Sequence, residues 1–267
     1  MRAIAIVNQK GGTGKTTTAV NLAAALAEKG RNVLLIDLDP QYSTTTWYAV
    51  TNPGRGVFDL FAEQESTQLK DLFHKTATPN VTLVASSAWL VGAEKALSSE
   101  PGAETILREK IAELPPGSFA YVLIDCPPTL GILTVNALTA AREVLVPVEC
   151  HVMGLQGLAQ LLQTVDVVRK RLNPDIAITG ILPCRVDQRT NHSLEVVEKL
   201  RSRFPDITYA TVIRENIRLA ECPSMGEPIT TFAPSSSGAE DYRKLAEEII
   251  SQESNLEELP YGKAVNV

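Results

Sequence analysis

Asn8-Gln9-Lys10-Gly11-Gly12-Thr13-Gly14-Lys15-Thr16-Thr17 lies between a β-branched run, residues 2–8, and an alanine-rich stretch from Thr16 to Lys29 that stops at Gly30. That context is what a phosphate loop needs. Glycines let successive backbone N–H groups turn inward around an anion, and the following helix aims its positive end at the same point. Lys15 adds a point charge and Thr16 a hydroxyl suited to Mg²⁺. The usual spacing asks for a glycine five residues before Gly14, where this chain has Gln9. A second lysine, Lys10, stands instead before Gly11 and Gly12. A purely structural strand-to-helix turn needs glycine, but it does not need two lysines flanking three glycines.

Working outward, short apolar runs alternate with longer amphipathic stretches, the pattern of βαβ units. Strands are expected at 2–8, 32–37, 81–85, 119–125, 143–148, 176–184 and 207–212. Tyr121-Val122-Leu123-Ile124 and Val144-Leu145-Val146-Pro147-Val148 are apolar almost throughout, as strands covered on both faces should be. Further helices are expected at 154–172, ended by Asn173-Pro174, and at 238–251. Residues 49–80 mix glycine, proline and short helical fragments and read as an excursion between strands. The expected architecture is a single-domain α/β P-loop NTPase over residues 1–252, a mostly parallel twisted sheet with helices on both faces. Residues 253–267 are expected to form a loose tail.

Two acidic strand ends complete the candidate site. Leu34-Leu35-Ile36-Asp37-Leu38-Asp39-Pro40-Gln41 and Val122-Leu123-Ile124-Asp125-Cys126-Pro127-Pro128 place carboxylates at the carboxyl ends of buried strands, where open α/β sheets bind ligands. One aspartate can hold the Mg²⁺ shell and another can orient an attacking water.

Composition sets the outer limits. Of the 267 residues, 44% are apolar and 21% charged, which excludes a disordered chain. The formal net charge of −6 offers no global positive field for nucleic acid. No apolar run approaches the roughly 20 residues that cross a bilayer, and the opening Ala3-Ile4-Ala5-Ile6-Val7 is too short for a signal segment, so a cytoplasmic location is expected. Cys126, Cys150, Cys184 and Cys222 form no CxxC pair and read as buried free thiols.

The residues resemble the ParA/MinD group of deviant Walker ATPases and, within it, the ParA (Soj) partition ATPases. The likeness rests on the loop, on Asp37-Leu38-Asp39-Pro40-Gln41, on Ile124-Asp125-Cys126-Pro127-Pro128, and on Ile217-Arg218-Leu219-Ala220-Glu221-Cys222-Pro223-Ser224-Met225-Gly226 followed by Ser237-Gly238-Ala239. It implies ATP and Mg²⁺ as cofactors. Residues 10–17, Lys10, Gly11, Gly12, Thr13, Gly14, Lys15, Thr16 and Thr17, would bind the nucleotide. Lys10 would reach the partner's phosphates across a nucleotide-sandwich homodimer, Lys15 would serve its own subunit, and Asp39 would position the hydrolytic water. Thr16, Asp37 and Asp125 would form the metal set, Asp125 acting through water.

The resemblance further implies an ATP-bound dimer that binds double-stranded DNA without sequence preference, a ParB-like activator, and nucleoid association. Arg185, Arg189, Arg214 and Arg218 are the candidate DNA contacts, within a C-terminal half where basic residues cluster. Glu215 and Glu227 depart from the commoner family pattern. A ParA relative that positions protein cargo is the nearest alternative. A MinD-like membrane cycle would need a basic amphipathic C-terminal helix, whereas Glu253-Ser254-Asn255-Leu256-Glu257-Glu258-Leu259-Pro260 is acidic. An iron–sulfur carrier would need paired cysteines.

Overall fold

A computed structural model describes residues 1–97, 100–150 and 156–254. Eight strands form one sheet: β1 (Arg2–Ile6), β2 (Val33–Asp37), β3 (Phe73–Lys75), β4 (Val81–Val84), β5 (Tyr121–Asp125), β6 (Glu143–Glu149), β7 (Ala177–Val186) and β8 (Ile213–Arg214). Their order is β3-β4-β2-β5-β1-β6-β7-β8, parallel everywhere except the β3–β4 pair at one edge. The helices among the described residues are α1 (Lys15–Glu28), α2 (Ser43–Trp47), α3 (Val57–Ala62), α4 (Leu90–Leu97), α5 (Ile106–Ala112), α6 (Ile132–Ala140), α7 (Gln156–Arg171), α8 (Asn191–Arg203), α9 (Ile217–Met225), α10 (Ile229–Phe232) and α11 (Ser237–Ser251).

Period-two alternation decides which face each strand residue covers. Ala3, Ala5 and Val7, with Leu34, Ile36, Val122 and Ile124, join one core under α3 to α8. Ile4 and Ile6, with Val33, Leu35, Tyr121 and Leu123, join a second core under α1 and α9 to α11. Every residue of β2, β5 and β6 is buried, which explains their unbroken apolar runs. The α/β architecture with helices on both faces is thus as the sequence predicts.

Two features of the sheet differ from the sequence reading, and two expectations fall partly outside the described residues. The strand expected at 207–212 is displaced to Ile213–Arg214, and Thr208 touches the sheet only through a bridge to Ile181. The reason is Tyr209, whose ring lies over Gly180, so close that a Cβ there would fall 1.9 Å from it. The chain runs parallel to β7 there, bonded to it only at Ile181, and pairs again at Cys184↔Ile213. The excursion at 49–80 contains the unexpected strand β3, whose Phe73 meets Phe119 edge to face at 5.5 Å. The helix expected at 154–172 is described from Gln156, its first two positions lying outside the described residues. Of the expected tail, 255–267 lie outside the described residues, while Glu253 pairs with Arg31 at 2.8 Å and accepts from the Tyr121 hydroxyl.

Candidate nucleotide site

Because β1 sits between β5 and β6, the loop that follows it emerges at the carboxyl edge near the middle of the sheet. Gly12 (φ 76°) and Gly14 (φ 91°) take left-handed conformations, and Gly14 caps α1, so both glycines are required by the backbone. Asn8 anchors the loop's start. Its Nδ2 donates to Pro147 O at 2.7 Å, and its Oδ1 accepts from the Lys10 N–H at 3.0 Å. The Thr13 hydroxyl donates to Lys10 O at 3.3 Å.

The two lysines of this one loop face different surroundings. Lys15 is buried, and its Nζ lies 3.5 Å from Lys10 O. Burial pulls its ammonium below the usual lysine range, opposed by the charges of Asp125 and Asp39. Lys10 stands at the rim, its side chain 38% exposed, with Nζ 2.9 Å from Glu149 Oε2 at the end of β6.

The carboxylates meet because β2 and β5 are neighbours with Asp37 and Asp125 in register. Burial pushes both well above the usual carboxylate range, and for Asp37 the Asp125 charge adds to it. Their partners differ. Asp37 Oδ2 accepts from the Thr45 N–H (2.8 Å) and hydroxyl (2.7 Å), and its Oδ1 accepts from the Asp39 N–H at 3.2 Å. Both oxygens therefore accept hydrogen bonds within the protein, and Asp37 supports the loop that carries Asp39.

Asp125 Oδ2 accepts from the hydroxyls of Thr16 (2.8 Å) and Thr44 (2.7 Å), whereas its buried Oδ1 has no hydrogen-bond partner among the described residues. A bare carboxylate oxygen beside a loop hydroxyl fits a hard cation, which takes oxygen ligands. No group of three or more His, Cys, Asp or Glu side chains gathers as a metal cage among the described residues. Thr16 and Asp125 would thus supply only part of a coordination shell, as for Mg²⁺, which usually keeps waters and bound phosphates.

Asp39, 7% exposed, accepts from the Gln41 N–H at 2.9 Å through Oδ1. Burial raises its carboxyl, opposed by that N–H and by Lys15. Gly11, Gly12, Gly14, Lys15, Thr16, Thr17 and Asp39 line a cleft of about 1120 Å³. Its far wall is made by 184–189 and 213–220, with Tyr242. The sequence reading missed this wall as part of a nucleotide site, and it missed Thr44, Thr45, Ser86 and Glu149. The Ser43-Thr44-Thr45-Thr46 run just after Asp39 was the available signal.

The four candidate arginines all border this cleft, and each has an acidic neighbour. Arg185, at φ 53°, is 2.7 Å from Glu149, and Arg189 clasps Asp187 through two bonds of 2.9 and 3.0 Å. Arg218 is 2.9 Å from Glu221 and stays exposed. Arg214 is different, because it binds Asp241 and Glu240 and the Ser237 carbonyl and so staples β8 to α11. The four cysteines are buried free thiols, and burial pushes Cys150 up to about 12. None of the described helices is long and apolar enough to cross a membrane.

A family model described as an AAA domain matches residues 1–178. The chain is 43% identical over 248 residues to the sporulation initiation inhibitor protein Soj of Bacillus subtilis, covering 92% of this chain and 97% of that one. It is 44% identical over 252 residues to the chromosome-partitioning ATPase Soj of Thermus thermophilus, covering 94% and 96%. Among solved structures it resembles cobyrinic acid a,c-diamide synthase from Mycobacterium smegmatis with bound ATP analog and magnesium, at TM-score 0.83 and 33% identity over 98% of this chain and 100% of that one. The loop, the paired strand ends and a likeness that runs through the C-terminal half lead to one assignment: the chain belongs to the ParA/Soj family of P-loop partition ATPases.

Proposed function

We propose that the protein is an ATP-driven dimerisation switch that binds double-stranded DNA without sequence preference and segregates or positions chromosome or plasmid DNA. It acts in the cytoplasm on the nucleoid. ATP and water become ADP and phosphate, slowly until a ParB-like partner stimulates the step. Lys15 and the loop N–H groups of 11–17 hold the phosphates, Thr16 and Asp125 hold Mg²⁺, and Asp39 orients the attacking water. Bound Mg²⁺ neutralises charge on the phosphate oxygens.

The observation that carries this reading is the separation of the two lysines. Lys15 is enclosed with the carboxylates, while Lys10 stands at the rim with its ammonium on Glu149. A lysine at the rim suits action in trans, so that the full charge clamp around the transferred phosphoryl group forms only when two subunits meet. ATP then joins the dimer and hydrolysis releases it.

The test is sedimentation and DNA retention of an Asp39→Ala variant with ATP and Mg²⁺. The expected result is a dimer retained on unrelated DNA sequences. A monomer would overturn the sandwich dimer, and a dimer that ignores DNA at low salt would overturn the partition reading.

A further inference from the structure

The segment after Asp39 is built in an unusual way. Tyr42 takes a left-handed conformation (φ 45°), which a side chain larger than glycine adopts only when its surroundings enforce it. The turn is closed by the Tyr42 N–H on Asp39 O at 2.8 Å, and α2 follows at once. Its first turn delivers two adjacent hydroxyls to two adjacent strand ends. Thr44 donates to Asp125 Oδ2 at 2.7 Å and Thr45 donates to Asp37 Oδ2 at 2.7 Å. Both threonines are essentially unexposed, at 0% and 1%. The Thr45 hydroxyl also accepts from the Ser86 N–H at 2.8 Å, and the Ser86 hydroxyl donates to Asp39 O at 2.9 Å, so the segment is held from the ends of β2 and β5 and from the loop after β4.

The two bonds have different consequences. Asp37 accepts from two backbone N–H groups, those of Asp39 and Thr45, so the Thr45 hydroxyl adds to an anchor the backbone already makes. The carboxylate of Asp125 receives no backbone donor among the described residues. Its orientation rests on the hydroxyls of Thr16 and Thr44, which converge on the same oxygen and leave Oδ1 bare. Thr16 is itself a candidate metal contact, so its oxygen must serve the cation as well. Thr44 carries no such second duty.

We propose that Thr44 is a positioning residue for the metal site: its hydroxyl pins Oδ2 of Asp125 so that Oδ1 is the atom offered to a divalent cation. The proposal rests on the magnesium–nucleotide reading above. Outer partners that orient a metal-binding group typically change metal affinity 10–100-fold when removed. The Thr44 bond is one of two on that oxygen, so the loss belongs at the low end.

The experiment titrates Mg²⁺ into the full chain with a fluorescent ADP analogue, which follows binding without turnover. Thr44→Val keeps the shape and deletes the hydroxyl; Thr44→Ser keeps the hydroxyl; Asp125→Ala removes the metal contact itself. Thr44→Val should leave metal-free ADP affinity within about twofold and raise the half-saturating Mg²⁺ concentration about 10-fold. Thr44→Ser should restore it. Circular dichroism and thermal melts without Mg²⁺ check the fold, and Thr44→Ala replaces Thr44→Val if that variant does not fold. An unchanged Mg²⁺ requirement in the folded variant, or an equal loss of ADP affinity with and without Mg²⁺, would overturn the assignment. If wild type responds to Mg²⁺ and only Asp125→Ala abolishes the response, Thr44 alone is misassigned. If wild type shows no Mg²⁺ response, the magnesium–nucleotide reading fails and the role of Thr44 falls with it.

Discussion

Lys10 Nζ and Glu149 Oε2 lie 2.9 Å apart, joining the rim of the phosphate loop to the end of β6, whereas Lys15, five residues on, is buried against the loop's own carbonyl. Two lysines so separated should fail differently when removed. Lys15→Ala is expected to abolish nucleotide binding. Lys10→Ala is expected to retain binding within a few-fold and to lose ATP-dependent dimerisation. Calorimetry with ADP and sedimentation with ATP read the two effects, and identical behaviour of the variants would show that the lysines share one duty.

Arg218 and Arg214 should separate in the same way on DNA. Arg218 is exposed and, among the described residues, its guanidinium is held by Glu221 on its own helix, a partner it can exchange for a phosphate. With the Asp39→Ala dimer, Arg218→Glu should weaken DNA binding strongly with unchanged ATP affinity. Every phosphate that the variant no longer engages should reduce the slope of log affinity against log salt by ~0.9. DNA retention across a salt series gives that slope, and an unaltered slope removes Arg218 from the DNA surface.

Arg214 is expected to act on stability. Its guanidinium meets Asp241, which is 4% exposed, and replacing it with Gln leaves that carboxylate without its charged partner. Lys244 and Arg214 hold the Glu240 carboxyl down to about 2, against an ordinary value of 4.5. A depressed carboxyl contributes stability that is present above pH 4.5 and is lost as pH falls toward 2. In Arg214→Gln the Glu240 titration, followed by NMR, should move up toward 4.5. A Glu240 titration that stays in place would show that Lys244 alone sets it.

Gly180 and Tyr209 predict a packing defect that can be repaired. A Cβ at Gly180 would overlap the Tyr209 ring, which is buried at 3% exposure. Gly180→Ala should therefore destabilise by about 1–3 kcal/mol, the usual cost of overpacking a core. Tyr209→Ala in the same chain should make the glycine replacement nearly harmless. Urea unfolding of the two single variants and the double variant measures the coupling, and simple additivity would contradict the contact.

The phosphate loop was legible from the chain because its chemistry is local. Glycines that must turn left-handed, the lysine and the helix start all lie within one short run, residues 8–17. The buried strands were legible for the same reason, since a strand covered on both faces has no polar side to display. Strand 207–212 was misread because its composition suits a sheet, while its register depends on where the Tyr209 ring finds Gly180.

Other decisions needed partners far along the chain. Asp37 and Asp125 look equivalent in sequence, each the last residue of an apolar strand. Only the adjacency of β2 and β5, and the threonines that α2 brings to them, gives both oxygens of one carboxylate hydrogen-bond donors and, among the described residues, leaves an oxygen of the other bare. The arginines show the same division. Their charge is written in the chain, but whether a guanidinium is committed, as Arg214 is to Asp241, or exposed, as Arg218 is, follows from which carboxylate the fold sets beside it. Residue type fixes the chemistry a side chain can perform, and neighbours distant in sequence decide which of its atoms remain free to perform it.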